Sequence, residues 1–414
     1  MQTEARTVRT TSPLVLVGLM ALSLFINYID RGNLATGATQ IRADLHLSAT
    51  AYGALTAGFY FAYAFFQLPA GALADRIGGK LVLGIGALLW SVSTLMTGFV
   101  EGFFGLFVLR MMLGLGESVA FTTTSKIIAS NVPRARMGLA NGVIGFGYLV
   151  GPAVGTLLGG LMMARWGWRV TFFAFGAVSL LWLLPWSRVR INEAKPTANP
   201  GQPLVEMRQI LGRRALWGAA LGHFAGNWNW YFILGYLPMY LEMQRGFSQS
   251  HMATVVSSAY LVNALAALFA GWAFDKVIQR GWSPSLTLKL PLAAAHVAGL
   301  VCMLAMPVLP IGACIALLFV YEIFLGFSSP AYFMIPQIMA GPSATARWVG
   351  VQNMLGNMPG FIGVLFAGVL IDASNGSYGT AFLLAGLVNI LGLVGWIGIL
   401  PKVAPIDWGA EQPA

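Results

Sequence analysis

The sequence is poor in charged residues and in cysteine, and both shortages narrow the class of protein. Only 9% of its 414 residues are Asp, Glu, Lys or Arg, against about 25% in soluble domains, which excludes an ordinary water-soluble protein. The two cysteines, Cys302 and Cys314, have no metal-ligand neighbours, and we expect both to be small buried hydrophobic residues. Nucleotide-binding loops, hydrolytic motifs and metal-ligand clusters are also absent from the sequence, so we expect neither an enzyme nor a cofactor or metal.

Hydrophobic residues make up 57% of the chain, and they form runs long enough to cross a bilayer, which takes roughly 20 residues in a helix. Helices are expected because a helix satisfies its own backbone hydrogen bonds in lipid, and the alternating pattern of a membrane β-barrel is missing. The predicted spans are 14–36, 51–73, 81–99, 103–129, 137–163, 169–187, 214–241, 251–274, 286–306, 309–338, 348–370 and 378–400. The chain is therefore predicted to be an all-α membrane protein with twelve transmembrane helices.

The net charge of +10 follows membrane topology and does not indicate a nucleic-acid partner. Most lysines and arginines outside the spans fall in segments that share one side of the membrane, and this bias places those segments in the cytoplasm. The segments predicted outside carry only Arg42, Arg165, Arg169 and Arg245. We therefore predict a multi-pass protein of the cell (inner) membrane with both termini cytoplasmic and no cleavable signal peptide.

A polar linker divides the chain into two halves with similar patterns. It predicts an N-terminal six-helix bundle at 1–187, a cytoplasmic linker at 188–213 and a C-terminal six-helix bundle with a short tail at 214–414. GALADRIGGK (71–80) has a degenerate copy in the second half, GWAFDKVIQR (271–280). Later in each half, Arg110 and Glu322 occupy corresponding positions of the repeat. Two pseudo-symmetric bundles of this kind are typical of transporters that bind a solute between the halves, near the bilayer midplane.

Two spans carry charged residues where the membrane core is expected. Asp30 and Arg31 lie in the first span, and Arg110 and Glu117 lie seven residues apart on one face of the fourth. Charges in hydrocarbon are costly and usually functional. A buried guanidinium suits a carboxylate solute, and either acidic residue can pair with it when the solute is absent. Movement of the guanidinium toward a solute would favour proton uptake by the carboxylate that it leaves, which would link proton binding to anion binding. A purely structural ion network is the alternative.

GALADRIGGK resembles the cytoplasmic loop motif of the major facilitator superfamily, G-x-L-a-D-r-x-G-r-k. We expect Gly71 to let its helix press against a helix of the other half, and Asp75 to face the positive amino-terminal end of that helix. Arg76 would hold the loop on the inner side, and Asp275 occupies the second copy of the motif. A tight turn with no gating role is the alternative.

The glycines from Gly138 to 155 resemble the superfamily's antiporter motif. This resemblance keeps open the possibility that the protein exchanges solutes, with close helix packing as the alternative explanation of the glycines.

The segments NYIDRGNLATGA and LRMMLGLGES resemble the anion:cation symporter family of that superfamily, and the resemblance covers essentially the whole chain. It implies proton-coupled uptake of an organic anion such as a sugar acid or an aromatic or aliphatic carboxylate. It also implies that Arg31 binds the solute carboxylate, that Glu117 carries the coupling proton, and that Asp30 is a second proton site paired with Arg110. The other implied solute contacts are Tyr28, Tyr63, Arg110, Tyr148, Tyr332 and Asn353, although simple packing is an equal alternative for each tyrosine.

The sequence departs from the family directly after Glu117. Members often continue near A-P-A-F-P-x-N-N, whereas this chain reads SVAFTTTSK, so its solute can differ from those of familiar members. Glu322 stays open between solute contact and pairing with a buried polar group. His223 stays open between an interfacial or core histidine and a proton relay. The rival functions are an organic anion exchanger, a lysolipid carrier of the same fold and, from another class, a non-transporting solute sensor. We expect a monomer in the lipid bilayer.

Overall fold

The computed structural model describes residues 10–192 and 205–408. The first nine residues, much of the predicted linker (193–204) and the end of the tail lie outside the described residues. The described part folds into fifteen α-helices. They are α1 (Pro13–Thr36), α2 (Ala38–Asp44), α3 (Ala49–Ile77), α4 (Gly79–Thr97), α5 (Phe103–Asn131), α6 (Met137–Leu181), α7 (Leu183–Arg188), α8 (Met207–Leu211), α9 (Arg214–Met243), α10 (Gln249–Gln279), α11 (Pro284–Ala305), α12 (Ile311–Ser328), α13 (Ala331–Asn357), α14 (Ile362–Ala373) and α15 (Gly379–Leu393).

Twelve membrane spans are built from these helices, as the sequence predicts. Two of the helices, α6 and α13, each contribute to two spans, because their backbones turn at Gly167 (φ 80°) and Gly341 (φ 65°). A positive φ of this kind is favourable only for glycine. The last span continues beyond α15 as a π-helical turn, Val394–Ile399. The prediction of an all-α fold with twelve transmembrane helices in two bundles is therefore confirmed.

Two predicted spans are interrupted. The tenth, predicted at 309–338, breaks between α12 and α13 at Ser329 and Pro330, and the eleventh breaks at the 3-10 turn Met358–Gly360. Proline lacks a backbone N–H and ends the regular hydrogen-bond ladder, which explains the break at Pro330 and contributes to that at Pro359. Both breaks lie beside polar residues of the central cavity described below.

The two bundles use matched glycines for the same packing. A Cβ on Gly114 of α5 would meet the backbone oxygen of Phe59 on α3, and a Cβ on Gly326 of α12 would meet the backbone oxygen of Asn263 on α10. Glycine therefore permits the same close helix contact in each half. These contacts agree with the internal repeat predicted from the sequence.

The bundles also meet each other through glycines, at one end of the molecule. Gly71 of α3 lies against the backbone of Ala346 in α13, and Gly271 of α10 lies against the backbone of Gly138 in α6. We call this end the basic end, because its connections carry Arg76, Lys80, Arg134, Arg136 and Arg280. The basic end is closed in this conformation.

Other glycines of α6 face the first span. A Cβ on Gly147 would meet the backbone oxygen of Ala21, and a Cβ on Gly151 would meet that of Phe25. Close packing of α6 on α1 therefore accounts for these two positions of the antiporter-like motif. This packing explains the two glycines whether or not the protein exchanges solutes.

The surface fits a lipid environment. Eight helical stretches in the described ranges are long and apolar enough to cross a membrane, and two of them, Arg134–Arg188 and Ile311–Ala373, hold two spans each. Large apolar side chains such as Leu157, Leu161 and Phe269 are more than half exposed, as expected where lipid replaces water. Cys302 and Cys314 are fully buried, as expected.

Candidate functional site

An internal cavity lies between the two bundles. Five residues that the resemblance implies as solute contacts, Tyr28, Tyr63, Tyr148, Tyr332 and Asn353, all line it. Their contact with a solute stays a prediction. The other lining residues are Phe121, Leu149, His223, Gly226, Asn227, Trp230, Tyr231, Asn263, Leu325, Ser329, Phe333 and Asn357.

The N-terminal wall of this cavity is backed by an ion pair. The Nη2 atom of Arg31 on α1 lies 2.8 Å from Oε2 of Glu117 on α5, and its Nε donates to the same oxygen at 3.0 Å. The guanidinium carbon lies 4.3 Å from the ring centres of both Tyr28 and Tyr63. Glu117 is fully buried, and its Oε1 has no hydrogen-bond partner. Arg31 therefore sits one layer behind two cavity tyrosines, where the Glu117 carboxylate and aromatic faces hold it.

The expected pair between Asp30 and Arg110 is not formed in this conformation. Asp30 instead accepts a hydrogen bond from the Ser179 hydroxyl of α6 at 2.7 Å, and its other oxygen is buried without a partner. Arg110 lies over the ring of Phe59, 5.1 Å from its centre, and its Nε is buried without a partner. The physical reason is helix geometry: successive residues are about 100° apart around the axis, so Asp30 faces α6 when Arg31 faces α5.

The C-terminal wall of the cavity is polar and uncharged. Asn227 donates to the backbone oxygen of Gly356 at 2.7 Å, and the Tyr231 hydroxyl donates to Asn357 at 2.8 Å. Asn227, Tyr231, Asn357 and His223 line the cavity, and of these only the histidine was singled out from the sequence. A signal was present, since 223, 227 and 231 are four apart in GHFAGNWNWYF and so share one face of α9.

The two walls touch at the level of the cavity. The Tyr148 hydroxyl lies 2.7 Å from that of Ser329, and the rings of Phe121 and Phe333 stack at 5.0 Å. Ser329 stands at the break between α12 and α13, so this contact depends on the interruption of the tenth span. Each of these contacts joins the N-terminal bundle to the C-terminal bundle.

The remaining acid inside the membrane belongs to the C-terminal bundle. Glu322 of α12 is fully buried and accepts a hydrogen bond from Asn263 of α10 at 2.6 Å, while its Oε1 has no partner. Asn263 itself lines the cavity. Glu322 therefore meets a buried polar group, and it contacts the cavity only through that group. Among the described residues, no three His, Cys, Asp or Glu side chains are placed to hold a metal ion.

A charged cluster around Asp75 joins the two bundles at the basic end. Arg347 of α13 donates from Nε to Asp75 at 2.6 Å, and Lys126 of α5 lies 3.0 Å from the other carboxylate oxygen. The expected partner was the amino end of a helix, whereas the main partners are two side chains that were not predicted to contact Asp75. Arg347 also donates to the backbone oxygen of Val205. The cluster therefore ties α3, α5 and α13 together across the two bundles.

The second copy of the motif makes the contact that was expected of the first. Asp275 accepts hydrogen bonds from the backbone N–H groups of Gly138 and Leu139, each at 2.7 Å. These are the first residues after Met137, where α6 begins, so the carboxylate faces the positive end of a helix of the other bundle. Arg76 is exposed at the same end of the molecule. A gating role for any of these residues stays a prediction.

A twelve-helix membrane protein with a polar cavity between two pseudo-symmetric bundles has the architecture of a membrane transporter. The sequence matches the Major Facilitator Superfamily over residues 20–364. The chain therefore belongs to the major facilitator superfamily. Its fold is that of a transporter, and it is not an enzyme.

Curated relatives in this superfamily are similar over nearly the whole chain. A probable sulfoacetate transporter of Cupriavidus necator is 28% identical over 94% of this chain and 94% of its own length. The hexuronate transporter of Bacillus subtilis is 27% identical over 94% and 95%, and a probable L-galactonate transporter of Escherichia coli is 26% identical over 95% and 90%. Among solved structures, a proton:xylose symporter matches with a TM-score of 0.79 at 13% identity, over 94% of this chain and 96% of its own. That structural match bears on the fold alone.

Proposed function

We propose that this protein is a secondary active transporter that carries a small organic anion together with protons. The observation that carries the proposal is the buried Arg31–Glu117 pair, which lies directly behind the cavity tyrosines Tyr28 and Tyr63. A guanidinium held there offers a planar, doubly donating group to a carboxylate. The relatives named for sulfoacetate, hexuronate and galactonate support an anionic cargo.

The proposed coupling uses competition for one guanidinium. A solute anion and Glu117 both need Arg31, and two anions beside a single buried cation leave one negative charge without compensation. A proton on Glu117 removes that excess charge and releases Arg31 toward the cavity. Proton binding and anion binding therefore favour each other. Asp30, buried against Ser179, is proposed as a second proton site.

The proposed transport cycle is alternating access between the two bundles. The basic end is proposed to face the cytoplasm, because lysines and arginines concentrate on that side of bilayers. Gly71, Asp75, Arg76 and Asp275 are proposed to control its opening, and the bundle boundaries at 187 and 214 to separate two bodies that rock against each other. The protein is proposed to work as a monomer in the inner membrane, with both termini in the cytoplasm.

The first test is ligand binding to purified protein. Glucuronate, galactonate and sulfoacetate are added separately, and the melting temperature is followed, because a ligand that binds only the native state raises it. We expect at least one acid to stabilise the wild type and to leave Arg31→Ala unchanged. If the acid also fails to raise the melting temperature of Arg110→Ala, the second guanidinium contacts the solute as well. Equal stabilisation of the wild type and Arg31→Ala would remove Arg31 from the site.

The second test is transport into proteoliposomes. Glu117→Gln is expected to abolish accumulation driven by an inward proton gradient, because the amide cannot release a proton, while exchange of labelled for unlabelled acid continues. Ser118→Ala, on the neighbouring helix position, serves as the control and should accumulate solute normally. Wild-type counterflow that ignores an imposed proton gradient would favour the exchanger and refute proton coupling.

A further inference from the structure

His223 of α9 lies in the uncharged wall of the cavity and is not used by the proposed coupling. It is 6% exposed, it lines the cavity, and its ring lies 4.8 Å from that of Tyr332. On its other side the ring packs against Gly356, where a Cβ would overlap the imidazole. The ring is therefore held in one orientation.

The hydrogen bonds around His223 fix which of its nitrogens carries the proton. Trp348 Nε1 donates to Gln352 at 3.2 Å, and an indole N–H can only donate, so the Gln352 atom it meets is the carbonyl oxygen. The amide nitrogen of Gln352 then donates to the backbone oxygen of Tyr332 at 3.1 Å. The same nitrogen lies 3.3 Å from Nδ1 of His223. Since the amide nitrogen has only hydrogens to offer, Nδ1 accepts, and a neutral His223 carries its proton on Nε2.

That Nε2–H has no hydrogen-bond partner among the described residues, although the ring is nearly buried. That nitrogen is not one of the fully buried atoms that lack a partner, so it is open to the cavity that the ring lines, where a ligand oxygen can accept its hydrogen. The wall around it holds no Asp, Glu, Lys or Arg side chain within the described lining. A second full negative charge on the solute would therefore find no countercharge there.

We propose that His223 is a specificity-determining donor that binds an uncharged oxygen, a hydroxyl or carbonyl, at the end of the solute remote from its carboxylate. This inference rests on the proposed function, in which Arg31 binds the carboxylate on the opposite wall. Gln352 and Trp348 position the imidazole and do not contact the solute. The preferred cargo is then a hydroxylated or carbonyl-bearing monoanion, and dicarboxylates are disfavoured.

Three six-carbon acids test this directly: hexanoate, 6-hydroxyhexanoate and adipate, which end in a methyl, a hydroxyl and a second carboxylate. Binding to purified, full-length protein is measured by calorimetry. We expect 6-hydroxyhexanoate to bind the wild type between about three- and tenfold more tightly than hexanoate, the contribution of one neutral hydrogen bond. Adipate should bind no better than hexanoate.

Two variants separate the donor from the ring. His223→Phe keeps an aromatic ring and removes the N–H, so 6-hydroxyhexanoate and hexanoate should bind this variant with equal affinity. His223→Gln keeps a donor and should retain part of the preference. Equal binding of hexanoate and 6-hydroxyhexanoate by the wild type, or an unaltered preference in His223→Phe, overturns the inference and leaves the anion site standing. Binding of none of the three acids removes the proposed anion site together with it.

Discussion

The cluster at the basic end makes a quantitative prediction about conformational balance. Asp75 is 6% exposed and holds two cations, Arg347 at 2.6 Å and Lys126 at 3.0 Å. Asp75→Asn keeps the shape of the side chain and removes its charge, so both cations lose their anion. Because the contact with Arg347 joins the two bundles, the loss falls mainly on the conformation in which the basic end is closed.

The size of the effect follows from the partners that remain. Breaking a buried ion pair by removing one partner costs about 3–5 kcal/mol. Here both cations keep backbone carbonyl partners, Arg347 at Val205 and Lys126 at Ala74, which lowers the expected cost to about 2 kcal/mol. A change of that size shifts the equilibrium between closed and open basic ends by roughly thirtyfold.

The shift is measurable as a distance. Cysteines replace Arg136 and Arg280, which are exposed at the basic end on opposite bundles, and spin labels on them report the separation by pulsed electron resonance. The native Cys302 and Cys314 are fully buried, so labelling is confined to the new positions. We expect Asp75→Asn to transfer population from the short to the long distance.

The control removes a different ion pair at the opposite end. Asp44 pairs with Arg169 within the N-terminal bundle, and both side chains are more than a third exposed. The hydrogen bond from Arg169 holds the pKa of Asp44 below its usual range, so Asp44→Asn also removes a full charge at neutral pH. Exposed pairs contribute little, and the distances should not change. Distances in Asp75→Asn identical to those of the wild type and this control would refute the assignment of the cluster as a lock.

Two further predictions use the same preparations. Gly71→Ala should also open the basic end, because its Cβ would meet the backbone oxygen of Ala346; unchanged label distances would show that the helices adjust locally instead. Glu322→Gln should melt at or above the wild-type temperature, because the amide keeps an oxygen for Asn263 and removes a carboxylate that has no cation partner in the described structure. A clear drop in melting temperature would mean that the charge itself is required.

The spans and their charged residues were predictable because they depend on local properties. A run of apolar residues predicts a span wherever it occurs, and a charge within it stands out without any knowledge of neighbours. The first span, predicted at 14–36, corresponds to Pro13–Thr36, and the fourth, predicted at 103–129, to Phe103–Asn131. The break at Ser329 was missed because the span was predicted from its apolar character alone, although the adjacent Pro330 is a signal for it in the sequence.

The pairing of charges was harder to predict, because it depends on how helices are rotated against each other. Arg31 meets Glu117, but Asp30, its neighbour in sequence, turns to Ser179. Arg347 falls between the predicted spans 309–338 and 348–370 and was therefore only one of the basic residues that set the topology, although it pairs with Asp75. A single sequence shows which residues share a face of one helix, but it does not show how that face is rotated relative to the neighbouring helices.

The two bundles share a backbone plan and divide the chemistry between them. Arg110 and Glu322, at matching positions of the repeat, differ in charge, while Gly114 and Gly326 beside them make the same helix contact. Repetition has therefore kept the packing, where only glycine fits, and has left the neighbouring side chains free to differ. Under the proposed function a solute is then held at one end by charge and at the other by neutral hydrogen bonds. Because the two walls belong to different bundles, a solute that satisfies both favours the conformation in which they are closest.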